Sequence, residues 1–290
     1  MRILFCLISF LLCSFITPEQ KRAQQEKVQS CKIYDCFPFF NELEVLKIRF
    51  DELYDIVDYF VLVESMETHK GEKKPLYFAE NKHLFEKYLP KVIHVIIDER
   101  HPEMSVWGRE NYQRNCILRG LTHCSPDDLI IISDADEIPK KTLFPSIMLN
   151  YYHTLFTKKG YVSLQQDIYF FQLNRQTPTK ETWGGGYWVG TSLATYEAVA
   201  SNTPQYYRDK RAETGSIISH GGWHFTWMGG KEAVRKKTAS GAEPYNPDNF
   251  SDEAINAILS RHPPVPIDSS FPDYVVKNQE YLKSIDYIAD

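Results

Sequence analysis

The sequence predicts an α/β fold with a mostly parallel central sheet, extended by antiparallel strands in its C-terminal half. Between residues 31 and 134, short β-rich apolar runs alternate with stretches of helical periodicity, the pattern of strand–helix–strand crossovers in an open sheet. After Pro139 that pattern gives way to two-residue alternation punctuated by glycine and tryptophan, as in antiparallel pairs. No repeat or low-complexity segment interrupts the chain, so residues 31–290 read as a single domain.

The elements follow in order. Met1-Arg2 is a positive head and Ile3 to Ile16 is almost wholly apolar. As a helix those residues reach about 21 Å at ~1.5 Å each, short of the ~30 Å hydrocarbon core, which predicts a secretory signal peptide over 1–17. An uncleaved signal anchor is the alternative, because no A-x-A-like cleavage site follows. Either form routes the chain to the secretory pathway, or to the envelope or exterior of a bacterium, and the anchor would tie it to a membrane. Residues 18–30 read as a polar stem without a face to pack. "CKIYDCFPF" is a first strand, and "NELEVLKIRFDELYDIV" spaces its apolar residues for a helix. "DYFVLVES" and "KVIHVIID" are buried parallel strands, "RENYQRNCILRGLTHC" a helix and "DDLIIISD" another central strand. Then "GYVSLQQDIYFFQLN" alternates, "TWGGGYWVG" reads as a loop, and "ISHGGWHFTWMGG" as a short aromatic strand. The proline-punctuated "RHPPVPIDSSFPDYVVKNQEYLKSI" is expected to wrap the surface before a final short helix.

Composition narrows the function classes. An apolar content of 43% supports a real core, and a net charge of −5, from 33 basic and 38 acidic residues with no polybasic run, excludes a nucleic-acid partner. Beyond the leader, Cys31, Cys36, Cys116 and Cys124 show no zinc spacing; disulfide pairing and free thiols both stay open.

The informative stretch is "LIIISDADEIP" at 129–139. Four apolar residues run into Asp134, Asp136 and Glu137, and burying one carboxylate unpaired costs several kcal/mol, roughly, so a positive partner is expected. Ligands of open α/β sheets sit beyond the carboxyl ends of the strands. Asp134 and Asp136 are expected to project to one side of extended chain and to hold a hard divalent cation, Mn²⁺ or Mg²⁺, which also takes diphosphate oxygens. The plain alternative is a capped turn in which "SDADE" starts a helix after Pro139.

"DYFVLVES", "KPLYF", "WGRENYQRN", "DDLIIISDADEIP" and "GGWHFTW" occur in the order and approximate spacing of glycosyltransferase family 17, which the chain resembles over most of residues 32–280. The resemblance implies a GT-A type nucleotide-sugar fold. It also implies a UDP-GlcNAc donor, a glycan or glycoprotein acceptor, Mn²⁺ dependence and inversion at the anomeric carbon. Asp134, Asp136 and His224 are the metal candidates. Arg114 and Asn115, in "QRN", resemble the Arg-Asn of GT-A enzymes, with Arg114 toward the diphosphate and Asn115 positioning the nucleotide or a carboxylate. Glu64 ends the strand where a base or ribose would lie. Trp183, Trp188, Trp223 and Trp227 offer flat faces for sugar rings. An inverting transfer needs a base, and Glu243 corresponds to an acidic position in the family, although Gly241 stands where many relatives carry histidine; Asp167 and Glu213 are the other candidates. The competing readings are a GT-A transferase with another donor or acceptor, a non-catalytic glycan-binding protein of the same fold, and a calcium-stabilised surface protein.

Overall fold

The computed structural model describes residues 17–158, 160–177, 187–243 and 246–290. All of the leader but Thr17 therefore lies outside the described residues, as does Trp183. Four strands, β1 (Ile33–Phe39), β2 (Tyr59–Ser65), β3 (Val92–Ile97) and β4 (Leu129–Ile132), pair in parallel in the order β3-β2-β1-β4. One face packs Phe37, Phe60, Leu62 and Ile131 with Leu46 and Phe50; the other packs Cys36, Val61, Val63 and Ile130 with Ile117 and Leu121. Coverage on both faces is why these strands read as continuous apolar runs.

The remaining strands are β5 (Glu137–Pro139), β6 (Tyr161–Phe170), β7 (Tyr187–Thr195), β8 (Ile217–Ile218) and β9 (Gly222–Thr226). They extend the sheet as β4-β7-β6-β9-β5, with β7 antiparallel to β4 and β6, β9 parallel to β6, and β5 antiparallel to β9. β4 and β5 are thus neighbours in sequence but far apart in strand order, so the sheet must curl back on itself. The residues between them, Ser133 to Asp136, sit at that closure.

The helices are α1 (Pro18–Ser30), α2 (Leu43–Leu53), α3 (Tyr77–Glu80), α4 (Val106–Asn115), α5 (Phe144–Asn150), α6 (Tyr196–Asn202), α7 (Pro204–Lys210), α8 (Gly230–Ser240), α9 (Asp252–Arg261), α10 (Asp273–Lys277) and α11 (Gln279–Ser284). Among them none is long and apolar enough to cross a membrane.

Several expectations change. The polar stem is a helix, α1, with a Thr17/Gln20 capping box; Val28 packs on the core and Lys27 pairs with Asp127 at 2.7 Å. "EIP" is strand rather than helix start, because β9 offers it an antiparallel partner. "YWVG" belongs to strand β7, and the part of that stretch before Tyr187 lies outside the described residues. The C-terminal segment is more than a wrap: Phe271, Val275, Leu282 and Ile288 form a core with Val45 and Ile48 of α2. Cys31, Cys36, Cys116 and Cys124 are all free thiols.

Candidate active site

Asp134, Ala135 and Asp136 form a turn after β4, and Glu137 donates its N–H to the Asp134 carbonyl at 3.0 Å. The two aspartates share a cavity wall through this turn, not through strand alternation. Its shape is held from inside by Arg49 of α2, fully buried over the Phe37 ring. The guanidinium pairs with buried Asp35 and donates to the carbonyls of Asp134 (3.0 Å), Ala135 (3.3 Å) and Glu137 (2.9 Å) and to Ser133 Oγ (2.6 Å). A planar donor with five N–H groups suits a turn that presents several carbonyls together.

The positive partners that three adjacent carboxylates demand are supplied by the protein. Arg114 donates to Asp134 Oδ1 at 2.8 Å and Arg208 to Oδ2 at 2.6 Å. Arg208 also reaches both oxygens of Glu137, at 2.8 and 2.9 Å, where the Trp188 indole N–H and the Asp134 N–H donate too. Lys237 of α8 contacts Asp136 Oδ2 at 2.6 Å and Glu42 at 2.9 Å. Burial pushes the Asp134 and Glu137 carboxyls up, but Arg208, with Arg114 also acting on Asp134, outweighs it and holds both below their ordinary range. Burial likewise lowers Arg208 and Lys237, and their carboxylate partners override it, so both stay charged.

Asp136 Oδ1 is different. His224 Nε2 faces it at 3.7 Å, too far for a hydrogen bond, and His224 Nδ1 is buried without a hydrogen-bond partner among the described residues. The imidazole lies against Trp188, with ring centroids 5.3 Å apart. A carboxylate oxygen and an imidazole nitrogen facing each other across such a gap suit Mn²⁺ chemically. Asp134 does not complete that set, because both its oxygens are engaged by arginines; among the described residues no group of three or more His, Cys, Asp or Glu side chains forms a metal cage.

These groups line a cavity of about 590 Å³ between the carboxyl ends of β1, β2 and β4 and the α8–α9 segment. Arg114, Asp134, Asp136, His224 and Glu243 all lie on its wall, Glu243 at an exposed position. The other candidates are placed elsewhere. Glu64 is fully buried, accepting from the Phe78 (2.7 Å) and Ala79 (3.2 Å) N–H groups at the start of α3 and contacting His94 at 3.0 Å. Asn115 accepts from the Gln205 N–H at 2.9 Å, while Gln205 Oε1 accepts from Arg114 at 2.6 Å. "QRN" therefore seats the start of α7, the helix that delivers Arg208. Trp223 is buried in the core. Asp167 lies 3.3 Å from His220, and Glu213 pairs with Lys210 at 2.9 Å, neither on the cavity wall. Trp188 and Trp227 do line the cavity, as does Trp107 on α4, 47% exposed.

Two glycines let the backbone come this close. A Cβ on Gly190 would lie 2.6 Å from the Glu137 carboxyl carbon, and one on Gly222, at φ +150°, only 2.0 Å from the Ile138 carbonyl oxygen.

Arg49, Arg208 and Lys237 drew no attention in the sequence. Each is a charged residue in a helical stretch, where a solvated face is the ordinary reading, and only Arg49 carries a local hint: it interrupts the apolar "LKIRF" on the buried side of α2.

A model of glycosyltransferase family 17 matches residues 13–231. The chain belongs to that family. Curated relatives include the β-1,4-mannosyl-glycoprotein 4-β-N-acetylglucosaminyltransferases of Homo sapiens, 30% identical over 224 residues, and Rattus norvegicus, 29% identical over the same length. Each match covers 69% of this chain and 41% of the relative, so the chain spans about two fifths of the length of the curated relatives it matches. Among solved structures, a glucosyl-3-phosphoglycerate synthase of Mycobacterium tuberculosis overlaps 88% of this chain and 95% of its own at 12% identity, with a TM-score of 0.35. For this family 17 chain, the sheet closing over "DADE" is the mostly parallel α/β architecture with antiparallel additions that the sequence predicts.

Proposed function

We propose that this chain is an inverting, metal-dependent transferase that moves GlcNAc from UDP-GlcNAc to a glycan acceptor, reached through the secretory pathway by its leader. The observation that carries the reading is the pair Asp136–His224, facing each other at 3.7 Å on the wall of a cavity large enough for a nucleotide sugar. Asp136 and His224 would hold Mn²⁺ or Mg²⁺, which would supply a Lewis acid for the charge gathering on the departing diphosphate. Asp134 and Glu137 stay ionised and immobile through Arg114 and Arg208, so the turn that presents Asp136 does not shift as charge develops. Arg114 turns both terminal amino groups to Asp134, Glu110 and Gln205, and only its Nε–H is left without a partner among the described residues, which makes it a positioning residue for the turn rather than a diphosphate ligand. Glu243, the one of the three base candidates on the cavity wall, takes the acceptor hydroxyl's proton. The flat faces of Trp107, Trp188 and Trp227 suit pyranose rings. The mannosyl-glycoprotein acceptor named for the curated relatives is the acceptor class we assign.

Thermal shift with UDP, with and without Mn²⁺, tests the site; a ligand at 100 times its Kd stabilises by about 2.7 kcal/mol. UDP and Mn²⁺ together should stabilise more than either alone, and a UDP-sugar hydrolysis screen should single out UDP-GlcNAc. Stabilisation by Ca²⁺ without preference for UDP would instead favour the calcium-stabilised protein, and UDP binding with no turnover on any donor the glycan-binding one.

A further inference from the structure

The cavity already contains a cation at Asp136. Lys237 of α8 places its ammonium 2.6 Å from Oδ2 and 2.9 Å from Glu42 Oε1, bridging the turn after β4 to the N-cap of α2. Every other carboxylate oxygen of the turn is engaged: both of Asp134 by arginines, and both of Glu137 by Arg208 with the Trp188 and Asp134 N–H groups. A divalent cation arriving alone at the turn thus finds, among the described residues, two free side-chain donors facing each other, Asp136 Oδ1 and His224 Nε2, of the roughly six that Mn²⁺ prefers. It would share its carboxylate with a fixed ammonium and stand among arginines. A diphosphate changes both conditions, since it brings oxygen donors and negative charge that face the metal and the ammonium together.

Resting on the metal reading above, we propose that Lys237 makes metal entry conditional on the nucleotide: its ammonium on Asp136 keeps free Mn²⁺ out and admits the cation only together with a nucleoside diphosphate. The resulting coupling is reciprocal, so Mn²⁺ raises UDP affinity by the same factor by which UDP raises Mn²⁺ affinity.

Electron paramagnetic resonance of unbound Mn²⁺, titrated with the full chain with and without UDP, reads this without any turnover. In the wild type UDP should tighten Mn²⁺ binding at least about tenfold, a coupling in the ordinary range. Lys237→Gln, which keeps hydrogen-bond donors without the charge, should bind Mn²⁺ alone about tenfold tighter and lose most of the UDP-dependent gain, whereas Lys237→Arg should keep the wild-type pattern. Circular dichroism checks the fold. Should Lys237→Gln not fold, the double variant Glu42→Gln/Lys237→Gln leaves no unpaired charge on residue 42 and carries the same expectation. Free Mn²⁺ binding no tighter in the uncharged variants, with Mn²⁺–UDP binding intact in the wild type, overturns the role of Lys237 alone. No Mn²⁺ binding by the wild type even with UDP overturns the metal reading and this inference together.

Discussion

Arg208→Met removes the guanidinium that joins Asp134 to Glu137 while roughly keeping the volume of the side chain. Glu137 is fully buried, so its loss is close to that of a broken buried ion pair, about 3–5 kcal/mol; Asp134 is part-exposed, keeps Arg114, and adds little. With about 2.1 cal/mol/K of unfolding entropy per residue, a chain of this size loses roughly 5–8 °C of Tm. The pH dependence separates this cause from simple loss of packing. Both carboxyls are held low in the folded state, so their contribution is present above the unfolded carboxyl range, near 4, and is lost as pH falls toward the folded values. The variant has less of that contribution to lose. Its Tm deficit should therefore be full at pH 7 and shrink steadily between about pH 4.5 and 3, which melts followed by circular dichroism at closely spaced pH values would record. Parallel Tm–pH curves for the two proteins, or a deficit under about 1 °C at pH 7, would refute the assignment of Arg208 as the ion-pair partner of Glu137.

Asp136→Asn and His224→Ala should each abolish the extra stabilisation that Mn²⁺ gives in the presence of UDP while the apo proteins still fold, as thermal shift would show. Glu243→Ala should bind UDP and Mn²⁺ like the wild type and lose ~10²- to 10⁴-fold in turnover, the usual cost of a missing general base, measured as transfer or donor hydrolysis. Gly190→Ala should destabilise by about 1–3 kcal/mol in a denaturant melt, because its methyl meets a Glu137 carboxylate that Arg208 and Trp188 hold in place.

The N-terminal parallel strands, helices α2 and α4 and the acidic turn were legible because each is written in a contiguous stretch. Apolar runs buried on both faces and helical spacing are local signals, and "DADEIP" concentrates three carboxylates in four residues. The later helices were harder to see. α6 and α7 are short, and α8 is strongly polar and hides its inward residues, Val234 and Thr238, among lysines. Strand β7 was masked by the glycine and tryptophan that suggested a loop, although Gly190 is there so that a strand can pass close to Glu137.

By itself, then, the sequence determined the fold class, the place of the acidic turn at the end of β4, and the need for positive charge beside three carboxylates. Which charges meet that need was decided by tertiary structure alone. Arg49 reaches the Asp134 carbonyl across 85 positions, Arg208 its carboxylate across 74, and Lys237 that of Asp136 across 101. Coulomb attraction acts through space, between side chains that a curled sheet and helices packed around it bring within 3 Å, and nothing local in the sequence distinguishes such a residue from one bound for solvent.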